Sequence, residues 1–311
     1  VRTHIPVLSD SLVEMLLPDG RRIHRLIDGT VGGGGHTRAL LEAGLQEALA
    51  FDLDPEAIAL ARHNLAAYRG RVAFCHASYL HMREKALERG WDAVDAIVLD
   101  LGLSSIQLDS PQRGFAFQHD ARLDMRFDAA GKHATAHELV NSLSEQDLAD
   151  LFFRYGEERR ARQIARLIIQ QRPIDTTRQL AEIAAQALPR PRGKSRKTHP
   201  ATRMFQALRI AVNQELENIE NVLPIAVDLL RPGGRLAVMA FHSLEDRIVK
   251  QAFKEMATAV VPPPGMASIQ AKRAKVKLVN RKPLTASAKE IKDNPRSRSA
   301  KLRVIEKLET D

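Results

Sequence analysis

The chain has 311 residues, of which 44% are apolar and 27% charged, a balance that fits a globular protein with a sizeable core and excludes a disordered or collagen-like chain. A single cysteine, Cys75, excludes an internal disulfide, and no apolar run is long enough to span a bilayer, so a cytoplasmic protein without a membrane partner is expected. The formal net charge of +9 and a pI near 9.8 favour a polyanionic partner.

Taken in chain order, HRLIDGT reads as a first strand and HTRALLEAG as a helix closed by Gly44. EALAFDLD is a second strand, followed by the helix PEAIALARHNLAAY with proline at its first position. RVAFCHAS is a third strand, in which Cys75 reads as a packed core thiol. The helix YLHMREKALERG and a fourth strand, DAVDAIVLDLG, follow. Strands rich in Val, Ile, Leu and Ala that alternate with helices predict a parallel sheet covered on both faces.

From about Ser110 to Pro200 the pattern is helical only. SEQDLADLFFRYGEE opens on Ser144 with Asp147 three residues on, a near-capping box. ERRARQIARLIIQQR places Ile164, Leu167 and Ile168 on one face, and TTRQLAEIAAQAL is a further helix ended by Pro189. The α/β rhythm resumes with a long helix from about Ala201 to Leu230, then a Pro-Gly-Gly turn into the strand of RPGGRLAVMAF, and ends on the strand of SAKLRVIEKL. The expected architecture is one α/β domain in two parts, residues 1–109 and 201–311, the second with a basic C-terminal segment. An all-helical insertion over 110–200, expected to recognise the substrate, interrupts it.

VGGGGHT, at 31–37, puts four glycines between the first strand and its helix, where a ligand can approach the backbone. Asp52 ends the second strand twenty residues past Gly32, the spacing of a carboxylate that holds a ribose diol. Asp54, just before Pro55, suits an N-cap instead. A dinucleotide site asks for a glycine where Thr37 stands, and the Gly-Lys-Ser/Thr of a Walker loop is absent, so a nicotinamide dehydrogenase and a P-loop enzyme are disfavoured. S-adenosylmethionine has no phosphate to cradle and fits better, with Tyr79 in CHASYL as an adenine neighbour and His36 as another cofactor neighbour.

Asp100 ends the fourth strand at the same rim, where an ionised carboxylate is costly unless something faces it. In amino-methyltransferases an acidic or polar residue, two prolines and an aromatic stand at this place; here the run is Asp-Leu-Gly-Leu. His242, Glu245 and Asp246 in FHSLEDR have no zinc-like spacing, so no metal is expected, and their place after the fifth strand suggests substrate contact. PRPRGKSRKTHP, at 189–200, holds Arg190, Arg192, Lys194, Arg196 and Lys197 without an acid. Between Lys272 and Arg303, twelve Lys and Arg face only Glu290 and Asp293. Both runs suggest phosphate contacts.

HIPVL at 4–8, DGTVGGGGHT, FDLDP, DLGLSSIQLD, RGFAF at 113–117, LDMR at 123–126 and YGEER at 155–159 together resemble one family. HPATRMFQALRI at 199–210, GGRLAVMAFHSLEDRIVK and NPRSRS at 294–299 extend the likeness nearly end to end. The chain is similar to the bacterial cytosine-N4 methyltransferases of small-subunit ribosomal RNA, the MraW family. The resemblance implies a class I, Rossmann-like methyltransferase sheet with an inserted all-helical domain. The implied reaction moves the methyl group of S-adenosylmethionine to the exocyclic N4 of a cytidine in the decoding region of 16S ribosomal RNA. Its partner would be the small ribosomal subunit, with a homodimer left open. Carried over by position, the cofactor contacts are Gly34, Gly35, His36, Asp52, Tyr79, Asp100 and Gln107.

Two roles stand open for Asp100: accepting the amine proton together with Ser104, Ser105 or a backbone carbonyl, or contacting the cofactor alone. Phe115, Phe117 and Phe241 are the candidates to stack a flipped base. Arg113, Arg126, Arg190, Arg192, Lys194, Arg196, Lys197 and Arg203 are the expected phosphate contacts, with His199 and His242 beside them. Two readings compete with this one. In one the chain is an amino-methyltransferase acting on another RNA or on DNA; in the other it is a cofactor-binding ribosome assembly factor without catalysis.

Overall fold

A computed structural model describes residues 6–18, 21–104, 107–108, 110–131, 133–187, 199, 201–259 and 273–309. The chain divides into two compact units, one of residues 1–102 and 216–311 and the other of residues 103–215.

The first unit is built on a seven-stranded sheet. Its strands are β1 (Arg25–Asp28), β2 (Glu47–Asp52), β3 (Val72–His76), β4 (Val94–Asp100), β5 (Leu230–Ala240), β6 (Val276–Leu278) and β7 (Lys301–Lys307). Their order is β3-β2-β1-β4-β5-β7-β6; the first five run parallel, and β7 is antiparallel to both β5 and β6. This is the class I methyltransferase arrangement. The chain leaves β1 toward β2 and β3 on one side, then returns to place β4 and β5 on the other. The carboxyl ends of β1 and β4 therefore flank a switch point, where open α/β sheets bind ligands.

Side chains alternate across the sheet, and both faces are buried. Ile27, Leu49, Phe51, Ile97 and Leu99 enter one core cluster, whereas Leu26, Ala48, Ala96 and Val98 enter another. Full burial of such aliphatic and aromatic side chains is worth roughly 1.5–3 kcal/mol each. Helices α1 (Ser9–Leu16), α2 (Gly35–Glu42), α3 (Pro55–Asn64) and α4 (Met82–Leu87) belong to this unit. The structure differs from expectation at two strands. The Pro-Gly-Gly turn lies inside β5, where the register with β4 shifts between Val94 and Ala96, and β6 carries no alternation long enough to be foreseen.

The second unit contains α5 (Ala136–Ser142), α6 (Glu145–Gly156), α7 (Ala161–Gln171), α8 (Thr177–Ala187) and α9 (Thr202–Asn213). Ser144 caps α6 by accepting the Asp147 N–H. The single long helix expected over 201–230 is two helices, α9 and α10 (Glu215–Leu229). Gln214 between them is left-handed, with φ of 51°. Tertiary bonds impose this break where neither glycine nor proline does. Asn213 Oδ1 accepts the Phe127 N–H at 2.8 Å, Asn213 Nδ2 donates to the Met125 carbonyl at 2.8 Å, and Arg209 grips Glu215 at 2.7 and 2.9 Å. Met204, Phe205 and Leu208 of α9 lie in the helical core with Phe152, Ile164 and Leu180. The helical unit is thus wider than the expected 110–200, because α9 contributes to its core. In the first unit the chain continues through α11 (Ser243–Met256) and α12 (Ala288–Asp293).

Candidate active site

The loop after β1 turns because Gly34 sits at φ +82°, a conformation that strains other residues, and a β-carbon there would meet Leu65 Cδ1 at 2.9 Å. Gly34 and Gly35, two of the residues expected at the cofactor, thus form the tight entry to α2. The Gly32 N–H donates to Asp52 Oδ2 at 2.9 Å, and the Asp54 N–H donates to Asp52 Oδ1 at 2.9 Å. Asp52 is thereby aimed at the glycine loop. Asp54 is fully buried and accepts the Glu56 N–H at 3.0 Å, the N-cap role read from its place before Pro55. Burial raises the Asp52 pKa to about 6; the two backbone bonds oppose the rise, and the charges of Asp54 and Asp28 add to it.

At the switch point the structure gathers Asp28, Thr30, His36, Thr37 and Asp100. Asp28 ends β1 and is 2% exposed, with Oδ2 accepting the Thr37 hydroxyl at 2.6 Å and Oδ1 the Thr30 N–H at 3.1 Å. Thr37, the residue that spoils a dinucleotide fingerprint, is there to hold Asp28. Burial pushes Asp28 up, against the pull of Thr37, His36 and Thr30. The Asp100 N–H donates to Thr30 Oγ1 at 2.6 Å. Asp100 Oδ2 lies 3.6 Å from His36 Nδ1, and Asp100 Oδ1 has no hydrogen-bond partner among the described residues. Burial raises Asp100 to about 6; His36 opposes the rise, and the acids Asp28 and Glu245 reinforce it.

Tyr79 begins a short 3-10 turn after β3, and its Cβ lies 3.1 Å from where a β-carbon on Gly29 would stand. It lies beside the carboxyl end of β1, half-buried. His242 is the N-cap of α11: Glu245 Oε2 accepts the Phe241 and His242 N–H groups at 2.8 and 3.3 Å, and His242 Nε2 lies 3.1 Å from Glu245 Oε1. Asp246 is bound by Lys301 and Arg303 at 2.8 and 2.7 Å. The FHSLEDR constellation is in large part a capped helix start with a buried ion pair.

In the helical unit, the Ser104 N–H donates to Gln107 Oε1 at 3.1 Å and the Gln107 N–H to Ser104 Oγ at 3.2 Å. These two candidates hold each other. Ser105, Arg190, Arg192, Lys194, Arg196 and Lys197 lie outside the described residues.

Several of the expected RNA contacts are engaged within the protein. Arg113 donates to the Arg126 and Phe127 carbonyls at 3.0 and 2.8 Å, and Arg126 binds Asp124 through two nitrogens, both at 2.8 Å. Phe115 is 6% exposed inside the helical core, which removes its ring faces from a visiting base. Phe117 instead stacks on His199, centroids 4.5 Å apart. Arg203 is accessible, with 56% of its side chain exposed. The basic C-terminal run is also partly consumed: Lys275, Lys277, Lys301 and Arg303 pair with Asp228, Glu306 and Asp246. Cys75, expected in the core, is only half-buried at its edge.

Sequence reading overlooked Asp28, Thr30 and Val7. An aspartate closing the apolar run RLID was the available signal for the first.

A model of the MraW methylase family matches residues 2–308. The chain belongs to this family. It is 46% identical to the ribosomal RNA small subunit methyltransferase H of Geobacter sp. (strain M21), with 98% of each chain covered. Against the enzyme of the same name from Thermomicrobium roseum the identity is 49%, covering 99% of this chain and 95% of that one. The one from Acinetobacter baumannii is also 49% identical, covering 99% and 98%.

The protein is therefore a methyltransferase whose methyl donor is S-adenosylmethionine. Its residues fit that cofactor: Asp52 is a carboxylate aimed at the loop, and a β-carbon on Gly32 would meet nothing within 4 Å among the described residues. Among the described residues no helix is long and apolar enough to cross a membrane.

Proposed function

We propose that this methyltransferase acts in the cytoplasm on 16S ribosomal RNA of the small subunit, methylating the exocyclic N4 of a cytidine in the decoding region. The names of its relatives support the ribosomal substrate, and the free oxygen of Asp100 at the switch point supports an amine target.

When bound, S-adenosylmethionine supplies an electrophilic methyl group whose departing bond pair stays on sulfur. Gly34 and Gly35 let the backbone approach it, Asp52 holds its ribose hydroxyls, and Tyr79 borders its adenine. Cytosine N4 is a weak nucleophile because its lone pair is spread into the ring. Asp100 Oδ1 accepts a hydrogen bond from the amine, which localises that pair, and then receives the proton that the nitrogen loses. Fixing the amine in line supplies much of the acceleration. A placed base contributes about 10²–10⁴-fold more. Gln107, oriented by Ser104, is a further cofactor ligand in this reading. For the RNA, Arg203, His199 with Phe117, His242, Arg196 and Lys197 are the contacts we assign, with Arg113 and Arg126 shaping the loop between them.

The test is single-turnover methylation of assembled small subunits, naked ribosomal RNA and duplex DNA, followed by nucleoside analysis. N4-methylated cytidine from the ribosomal substrate is the expected product. Asp100→Asn should lower turnover about hundredfold or more while cofactor affinity changes only a few-fold. A large loss of affinity with normal turnover at saturation would make Asp100 a cofactor contact only. Cofactor binding without product on any substrate would favour a non-catalytic assembly role.

A further inference from the structure

Val7, in a segment prominent in the sequence but idle in the mechanism above, touches the reaction centre through its carbonyl. The Val7 carbonyl lies 2.8 Å from His36 Nε2, and the next residue is anchored by the Leu8 N–H donating to Glu290 Oε1 at 2.7 Å. A carbonyl oxygen only accepts, so Nε2 carries a hydrogen and donates it. The nitrogen facing Asp100 Oδ2 at 3.6 Å is then Nδ1. Were both groups unprotonated, a nitrogen lone pair would confront a carboxylate, and His36 is only 7% exposed, so little water relieves that repulsion.

We propose that His36 is a positioning residue that holds a proton on Nδ1 at neutral pH. There it keeps Asp100 ionised, draws Oδ2 toward itself and leaves Oδ1 as the acceptor for the substrate amine. This rests on the reading of Asp100 as that acceptor.

The surroundings explain the need. Asp28 from β1 and Glu245 from α11 face Asp100 and are both acidic, and His36 from α2 is the group that opposes them. Asp28 is already occupied by Thr30 and Thr37, so it takes no part in receiving the proton.

In the transfer step the amine lone pair forms the new nitrogen–carbon bond, and the departing methyl bond pair stays with the donor sulfur. One N–H bond breaks, its electrons return to nitrogen and its proton passes to Asp100 Oδ1. The His36–Asp100 pair holds one shared proton before this step and two after it, and release of one to water resets it.

The first measurement is nitrogen NMR of the full chain with labelled histidine, for the wild type and for Asp100→Asn at pH 7. Nδ1 of His36 should resonate as protonated in the wild type and as unprotonated in the variant. An unprotonated Nδ1 in the wild type, or one indifferent to Asp100→Asn, overturns the proposal. The second is the pH profile of single-turnover methylation by His36→Gln, which keeps a donor for Val7 but cannot take the extra proton. Its acidic limb should move up by about one pH unit or more, making turnover about tenfold slower on the acid side, a deficit that shrinks at high pH. A limb that stays in place while Asp100→Asn is inactive removes His36 and leaves Asp100 as acceptor. Full turnover by Asp100→Asn, with the Nδ1 response intact, instead removes the acceptor reading on which the proposal rests.

Discussion

Asp52 and Asp100 in the sheet unit and Asp124 in the helical unit are all carboxylates drawn partly out of water, yet they differ in what answers the cost. Burial raises Asp52 and Asp100 to about 6, because two backbone N–H groups or one imidazole do not compensate it. Burial also pushes Asp124 up, but the side-chain and backbone hydrogen bonds of Arg126 and its charge together hold it below the usual range. Asp124 is satisfied and belongs to the framework. In the other two, the partners their own fold supplies leave the cost of burial uncompensated, as expected of groups that await a ligand.

Replacing each carboxylate should therefore have opposite consequences, the largest at the cofactor. Asp52→Ala should weaken S-adenosylmethionine about hundredfold in calorimetry, since hydrogen bonds to a charged acceptor are worth about 1.5–3 kcal/mol each. Asp124→Ala should leave that affinity unchanged. If both variants bind the cofactor equally, the distinction between framework and ligand carboxylates fails.

Stability reverses the ranking. Asp124→Ala removes both acceptors of the Arg126 fork and should cost about 2 kcal/mol in denaturant unfolding, read as a lower midpoint. For Asp100 the folded pKa lies above the unfolded one, so its contribution is full below about pH 4 and is lost as pH rises through about 6. Asp100→Asn in the cofactor-free protein should then match the wild type near pH 4 and exceed it by about 1–2 kcal/mol at pH 8, the partial solvent access of the carboxylate limiting the gain. Asp124 runs the other way: its depressed pKa gives stability above the unfolded value that is lost as pH falls. A thermal melt series across pH separates the two.

What was readable in the sequence follows from local rules. The strand–helix alternation, the Asp54 and Ser144 caps and the glycine turn each depend on residues within a few positions of one another. What escaped depends on distant atoms. Nothing near Gln214 announces a break, because Asn213 is held by Phe127 and Met125, some 86 and 88 residues away. Arg113 looked like a phosphate ligand because it is basic, whereas the Arg126 and Phe127 carbonyls that occupy it, 13 and 14 residues on, become neighbours only once the loop folds. The unpartnered oxygen of Asp100 is likewise a property of the assembled switch point, not of the run VLDLG.

Arginines of the helical unit divide in the same way as the carboxylates, with smaller effects. Arg203 is 56% exposed, meets Glu158 at 3.7 Å and donates to the Glu157 carbonyl at 3.2 Å, a surface arrangement worth under about 1 kcal/mol. Arg203→Glu should barely move the unfolding midpoint. On the ribosomal substrate it should flatten the dependence of log affinity on log salt by about one, as expected when one fewer phosphate is neutralised. Arg126→Glu, placed against Asp124 and the Gly131 carbonyl, should instead destabilise the helical unit. An unaltered salt slope for Arg203→Glu would show that exposure alone does not make an arginine of this unit an RNA ligand, and would shift the search to the residues around 190–197.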